Sequence, residues 1–154
     1  MSLLNKKAPN FELQNGEFEQ ISLNNLIGET NIVLLFYPLA FSSTCTEELC
    51  SVRDNMKIYE ALDAKVFGIS VDSLFVQKTF KKAQNLNFEL LSDFNKDAMK
   101  AYGVFDEDFF GMHGVSKRSA FVIDKNGFVR YEEIHETSDQ LPNFNAIQRI
   151  LGEI

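Results

Sequence analysis

Asn31-Ile32-Val33-Leu34-Leu35-Phe36-Tyr37-Pro38-Leu39-Ala40-Phe41-Ser42-Ser43-Thr44-Cys45 is the stretch that decides the fold. From Ile32 to Phe36 no polar residue interrupts it, which suits a strand covered on both faces, since a half-exposed strand would alternate. The character then changes. Ser42, Ser43 and Thr44 suit a turn and helix start, and Thr44 and Glu47 have capping-box spacing. Leu49, Val52, Met56 and Tyr59 recur at helical intervals in register with Cys45, which predicts a helix over about 44–62. Cys45 therefore falls at or near a helix N-terminus, on its inward side.

Working outward, Phe11 to Leu13, Asn15-Gly16 and Phe18 to Ile21 predict a short N-terminal hairpin, its Asn-Gly pair suiting a turn with two positive φ values. Lys65 to Val71 predicts a second apolar strand, and Asp72 or Ser73 a helix cap before a helix to about Gln84. Leu90 and Leu91 predict a brief strand, and 95–102 a helix ended by Gly103. Ser119 to Asp124, the turn Asp124-Lys125-Asn126-Gly127, and Phe128 to His135 predict a second hairpin, followed by a helix over about 141–151. Phe105 to Met112 has no clear period and is expected to be a surface loop. No repeat, low-complexity tract or linker divides residues 1–154, so the strands are expected to share one sheet within a single domain. This order fits an α/β, thioredoxin-like three-layer sandwich with a central mixed sheet and an N-terminal hairpin.

The chain has 154 residues, 45% of them hydrophobic, enough for the core of one domain. Its net charge of −7, without a basic cluster, disfavours nucleic-acid binding. No signal pattern and no apolar run near the roughly 20 residues of a membrane span are present, so a soluble, cytoplasmic protein without membrane association is expected. Two cysteines in such a chain point to chemistry or packing rather than a structural disulfide. His113 and His135 are isolated in sequence, so neither a metal site nor a general base is expected, and no cofactor is implied.

A thiol at a helix N-terminus is favoured as thiolate, its nucleophilic form, by unpaired backbone N–H groups and the dipole. That effect is about 0.3–1 kcal/mol, less than one pKa unit, whereas a contacting arginine can contribute roughly 1–3 units. Glu47 and Glu48 sharpen the need for such a cation, because carboxylates beside the sulfur oppose its charge. Ionisation alone does not account for high reactivity, so contacts made in the transition state must supply the remainder.

Pro38-x-x-x-Ser42-x-x-Cys45 resembles the peroxiredoxin active-site motif in its serine-containing version. Phe36-Tyr37-Pro38-Leu39-Ala40-Phe41, Glu48-Leu49-Cys50, Arg53-Asp54, Gly68-Ile69-Ser70-Val71-Asp72 and Arg118-Ser119-Ala120-Phe121-Val122-Ile123-Asp124 extend the likeness over nearly the whole chain. The chain is most similar to the branch containing alkyl hydroperoxide reductase E and the bacterioferritin-comigratory, or Q-type, enzymes.

The resemblance implies a thiol-dependent peroxidase that reduces hydrogen peroxide, organic hydroperoxides or peroxynitrite, with thioredoxin or a similar thiol as reductant, working as a monomer or homodimer. It implies that Cys45 attacks the peroxide and becomes a sulfenic acid, and that Ser42 hydrogen-bonds the thiolate and peroxide. It further implies that Arg118 stabilises thiolate and leaving oxygen, that Glu48 orients Arg118, and that Pro38 shields the pocket. Ser42 as a plain helix cap, Glu48 as a plain first-turn acid and Arg118 as a strand-surface charge are the simpler alternatives. Arg53 fits either a support of this cluster or an exposed helical ion pair.

Cys50, five positions on, has the spacing of a Q-type resolving cysteine. An ideal helix separates the two α-carbons by about 8.7 Å, from a rise of about 7.5 Å and a rotation of about 140°. A disulfide needs less than about 7 Å, so resolution would require local unwinding between Thr44 and Arg53. The alternative is Cys50 as a small buried apolar residue, giving a one-cysteine peroxidase. Two rivals remain: a thioredoxin-like disulfide reductase, which would normally carry C-x-x-C, and a redox-sensing interaction module.

Overall fold

The computed structural model describes residues 2–154. The decisive apolar run forms strand β3 (Asn31–Phe36), buried at every position. It is the axis of a seven-stranded mixed sheet with β1 (Glu12–Asn15), β2 (Gln20–Ser22), β4 (Ala64–Ser70), β5 (Glu89–Ser92), β8 (Ser119–Ile123) and β9 (Val129–Ile134), in the order β2-β1-β5-β4-β3-β8-β9. Strands β3, β4 and β5 run parallel, whereas β8 lies antiparallel to β3 and β9 antiparallel to β8.

Alternation along β3 divides the interior in two. Val33 and Leu35 face a cluster with Cys45, Leu49, Val52, Met56 and Tyr59, to which α3 (Leu74–Ala83) adds Phe80 and α5 (Phe144–Glu153) adds Ile147 and Leu151. Ile32, Leu34 and Phe36 face the opposite side, against Phe11, Leu23, Tyr102 and the short α4 (Asp97–Ala101). Both faces of the sheet are covered, which is why its central strand carries no polar alternation. At Gly68 a Cβ would fall 2.7 Å from Leu90 Cδ2 and 3.2 Å from the Tyr37 ring, so the glycine lets those side chains close over β4.

Several expectations change in detail. The helix expected over about 44–62 is two helices, α1 (Ser43–Asp54) and α2 (Met56–Ala61), broken at Asn55 (φ −114°, ψ 17°). The cap is Ser42, in extended conformation, so Thr44 lies inside the first turn and the Thr44–Glu47 capping box is not formed. The N-terminal hairpin forms, but its positive φ is at Phe18 (63°), because the Asn15 side chain accepts from the Glu17 and Glu19 N–H groups and shapes a longer loop. Helix α4 is shorter than expected because Lys96 is left-handed (φ 68°), and Asp93 caps the Ala98 and Met99 N–H groups. Pro142 delays α5, which Asn143 caps through the Ala146 N–H. The expected loop after Phe105 contains β6 (Phe105–Asp106), which pairs with β7 (Val115–Ser116) in a separate two-stranded sheet, so not all strands share one sheet. Among the described residues no helix is long and apolar enough to cross a membrane.

Candidate active site

Sheet register brings the site together. Phe36 pairs with Ser119 across β3 and β8, and Ser119 with Ile134 across β8 and β9. One step beyond, Arg118 is flanked by Tyr37 and His135, and its carbonyl accepts from the His135 N–H at 2.9 Å. Arg118 thus enters at the C-terminal end of β3, where the chain turns into α1.

That turn is built by backbone and side-chain hydrogen bonds. The Tyr37 N–H donates to the Ile69 carbonyl (3.0 Å), and the Ala40 N–H to Asp72 Oδ2 (2.7 Å), which also accepts from Ser70 Oγ (2.7 Å). Tyr37 Oη donates to Gln77 Oε1 at 2.5 Å, and Gln77 Nε2 donates to Ser70 Oγ at 2.8 Å, so a buried polar chain ties the turn to α3 and β4. Phe41 holds φ of 68°, uncommon for a bulky residue, with its ring packed at a tilt against Phe80, centroids 4.9 Å apart. Pro38 is buried. Its missing N–H does no harm between strand and helix.

Cys45 is the third residue of α1 and is 0% exposed. Arg118 Nη2 donates to its sulfur at 3.3 Å, Nη1 donates to Glu48 Oε1 at 2.5 Å, and Nε and Nη2 both donate to the Ser138 carbonyl (3.2 and 3.0 Å). The Arg118 and Glu48 side chains are 1% and 0% exposed. Here the expected Cys45, Arg118 and Glu48 meet, although 73 positions separate sulfur from guanidinium. The carbonyl of Ser138 was not anticipated; nothing in residues 136–141 signalled it.

Burial governs the electrostatics. It pushes Glu48 up to about 7, against the pull of the Arg118 charge and hydrogen bond, and the Glu133 charge adds to the rise. Arg118 is opposed by burial, but Glu48 and Cys45 outweigh it, so the guanidinium lies above its usual range and stays charged. The strain of the buried pair therefore falls on the carboxyl rather than the guanidinium. Glu48 Oε2 has no hydrogen-bond partner among the described residues.

The remaining candidates are placed differently. Ser42 Oγ donates to the Leu39 carbonyl at 2.9 Å rather than to Cys45, because that carbonyl lies within the same tight turn. Cys50 is half-buried, with Sγ 3.5 Å from Gln84 Oε1, and both thiols are free. Arg53 binds Asp54 (2.9 Å) and the Gln84 carbonyl (2.5 Å), so it is a partly exposed ion pair beside Cys50 and no part of the Arg118 cluster.

A cavity of about 260 Å³ opens over Arg118, lined also by Pro38, Phe109, Phe110, His135 and Ser138. Phe109 and Phe110 pack edge to face at 4.8 Å, with Phe110 84% exposed at the rim. Larger clefts, of about 710 and 520 Å³, lie between α3 and the N-terminal hairpin and between that hairpin and α4, away from any reactive group. Volume alone would choose them; Arg118, which lines the smaller one and contacts the Cys45 sulfur, chooses it. His135 belongs to this wall, where sequence isolation had dismissed it. The available signal was the alternation of Tyr131, Glu133 and His135 along β9 and one residue past its end. Among the described residues no group of three or more His, Cys, Asp or Glu side chains converges as metal ligands would.

Comparisons with known proteins bear on the family and the fold. A sequence profile described as the AhpC/TSA family matches residues 4–132. The chain is 34% identical over 145 residues to the chloroplastic 2-Cys peroxiredoxin BAS1 of Spinacia oleracea, covering 88% of this chain and 53% of that protein, so it spans about half the length of that relative. It is 33% identical over 134 residues to alkyl hydroperoxide reductase E of Mycobacterium tuberculosis, covering 86% of this chain and 85% of that protein. The crystal structure of peroxidoxin BcpB from Mycobacterium tuberculosis superposes with a TM-score of 0.89 at 28% identity, covering 100% of this chain and 99% of that one. The fold is thioredoxin-like, with the central mixed sheet expected.

Proposed function

Because this chain belongs to the AhpC/TSA family, with alkyl hydroperoxide reductase E among its relatives, we propose that residues 1–154 act as one thiol-dependent peroxidase domain with Cys45 as nucleophile. The observation that carries this is the buried Arg118 Nη2, 3.3 Å from the buried Cys45 sulfur and held on its other side by Glu48. The Cys45 thiolate attacks the terminal oxygen of the peroxide; an S–O bond forms as the O–O bond breaks. Sulfur is oxidised by two electrons to the sulfenic acid, and the peroxide is reduced. The other oxygen leaves as hydroxide or alkoxide and takes a proton from solvent, or, from peroxynitrite, leaves as nitrite.

Arg118 favours both the starting thiolate and the charge growing on the leaving oxygen, while Glu48 holds the guanidinium in place. Ser42, whose proton is committed to Leu39, accepts the peroxide O–H, and Pro38 closes one wall of the approach. Backbone N–H groups at the start of α1 polarise the O–O bond. Hydrogen peroxide, organic hydroperoxides and peroxynitrite all carry the required O–O bond, and the sulfenic acid returns to thiol through thioredoxin or a similar thiol. Cys50 is the resolving cysteine. Forming its disulfide requires α1 to unwind between Cys45 and Cys50 and Cys50 to leave Gln84. The chain works in the cytoplasm as a monomer or homodimer.

Stopped-flow mixing with sub-stoichiometric peroxide, followed by regeneration with thioredoxin, tests the proposal on wild type and Cys45→Ser. Wild type is expected to consume peroxide and be re-reduced. Full consumption by Cys45→Ser would overturn the assignment.

A further inference from the structure

The peptide unit joining Leu39 to Ala40 is gripped at both ends. Its N–H donates to Asp72 Oδ2 at 2.7 Å, and its carbonyl accepts from Ser42 Oγ at 2.9 Å. Asp72, between β4 and α3, is itself fixed: Ser70 Oγ donates to the same Oδ2 at 2.7 Å, the Asp72 N–H donates to Ser70 Oγ at 3.2 Å, and Ser92 Oγ donates to the Asp72 carbonyl at 2.6 Å. Ser70 is fully buried. At the other end, the Ser42 carbonyl accepts from the Thr46 N–H (2.9 Å) and Thr46 Oγ1 (2.8 Å), which ties the serine backbone to α1 and leaves its hydroxyl as the part able to turn. Left-handed Phe41 bends the chain between the two. The Asp72 side chain has no part in starting α3, because Ser73 is the cap and accepts from the Val76 N–H.

We propose that Asp72 is a positioning residue for Ser42: by fixing and polarising the Leu39–Ala40 peptide it commits the Ser42 proton to the Leu39 carbonyl, which leaves the Ser42 oxygen free to accept the peroxide O–H. This role of Ser42 rests on the peroxidase function proposed for the chain. A hydroxyl has one proton to give and two lone pairs with which to accept. With the proton given to Leu39, both lone pairs remain, and a peroxide arriving at Cys45 brings the O–H that one of them can take. A carboxylate that accepts from an amide N–H draws electron density toward the carbonyl oxygen of the same peptide. The Leu39 oxygen then accepts more strongly, and Ser42 Oγ becomes in turn the better acceptor, because hydrogen bonds in series strengthen one another. Without Asp72 the peptide loses the partner of its N–H and is free to rotate, which takes the Leu39 carbonyl away from Ser42 and releases the hydroxyl proton to other acceptors. The thiolate itself is not lost, since its charge is supported by Arg118.

Two reagents separate the oriented hydroxyl from the thiolate. Hydrogen peroxide uses both, whereas iodoacetamide alkylates the same sulfur and brings no peroxide O–H. In the full chain, with each product located at Cys45 by fragmentation mass spectrometry, Asp72→Ala is expected to slow oxidation by hydrogen peroxide about tenfold, while alkylation keeps at least about a third of its wild-type rate. Ser42→Ala is expected to slow oxidation by a similar factor, and Asp72→Ala added to it to cost less than about twofold more, because the two residues act as one unit. Equal falls in oxidation and alkylation, as a merely structural role would give, overturn the inference. So does an Asp72→Ala effect that persists at full size in the Ser42→Ala background. Should Asp72→Ala fail to fold, Asp72→Asn takes its place in the same cycle, keeping the shape without the charge; its expected loss is about threefold, again absent beside Ser42→Ala. A wild-type chain whose Cys45 is alkylated but not oxidised would sink the peroxidase proposal and this role with it, whereas an oxidised wild type with additive variants would sink the role of Asp72 alone.

Discussion

Helix α1 carries two cysteines five positions apart and two kinds of surroundings. At its start Cys45 is sealed from solvent with a buried arginine and glutamate; further along, Cys50 is half-buried against Gln84, with Arg53 paired to its neighbour Asp54. Residue type is the same at both ends, as is the presence of an arginine and a carboxylate nearby. The difference is desolvation. An arginine in a dry site acts on a sulfur with little screening, whereas one at the surface is weakened by water and salt. On the proposed reading, reactivity at one end of a helix is set by what the sheet delivers to it, here Arg118 through the β3–β8 register.

The contrast can be broken most severely at Cys45, the proposed nucleophile. Cys45→Ser is expected to lower peroxide consumption at least about 10³-fold, measured by stopped flow. Cys50→Ser should remove the intramolecular disulfide, seen by mass spectrometry after one equivalent of peroxide, and lower thioredoxin-supported turnover about tenfold or more. Turnover at the wild-type level would instead favour a one-cysteine enzyme.

Glu48 sharpens the contrast through pH. Its value in the folded chain, about 7, lies above the ordinary 4.5, so the native state binds more protons than the unfolded one between those limits. The stability it contributes is present below 4.5 and is lost as pH rises toward about 7. Urea unfolding of wild type relative to Glu48→Gln is expected to show that loss over this window; a flat difference would contradict the buried carboxyl. The smallest effect belongs to Arg53→Ala, expected to leave the Cys45 oxidation rate within about twofold, because a partly exposed pair is screened from the site.

Much of this was legible in the sequence, for reasons that differ by residue. The unbroken run from Ile32 to Phe36 marked a doubly covered strand because only burial on both faces tolerates it. The break at Asn55 was hidden because Leu49, Val52, Met56 and Tyr59 enter the same cluster on both sides of it, so the apolar period continues through. Strands β6 and β7, two residues each, are too short to carry a period. Asn15-Gly16 signalled a turn, but the left-handed residue fell at Phe18, where the Asn15 side chain directs the loop.

Within the site, local patterning placed Cys45 and Ser42, while Arg118 could be joined to them only through family resemblance, since nothing local encodes a contact across 73 positions. His135 was passed over because the Arg118 carbonyl that its N–H meets is brought to it by strand pairing, and its nearby partner Glu133, two positions away, signals nothing without that pairing.

The central claim is that the desolvated guanidinium of Arg118 drives O–O cleavage at Cys45. Its most direct test is the second-order rate constant for single-turnover oxidation of Cys45 by hydrogen peroxide in Arg118→Lys, with folding checked by circular dichroism. The predicted result is a fall of about 10²-fold or more, because a lysine keeps the charge but cannot span Glu48 and the sulfur with one planar fork. A folded Arg118→Lys protein oxidised within about threefold of the wild-type rate would contradict it.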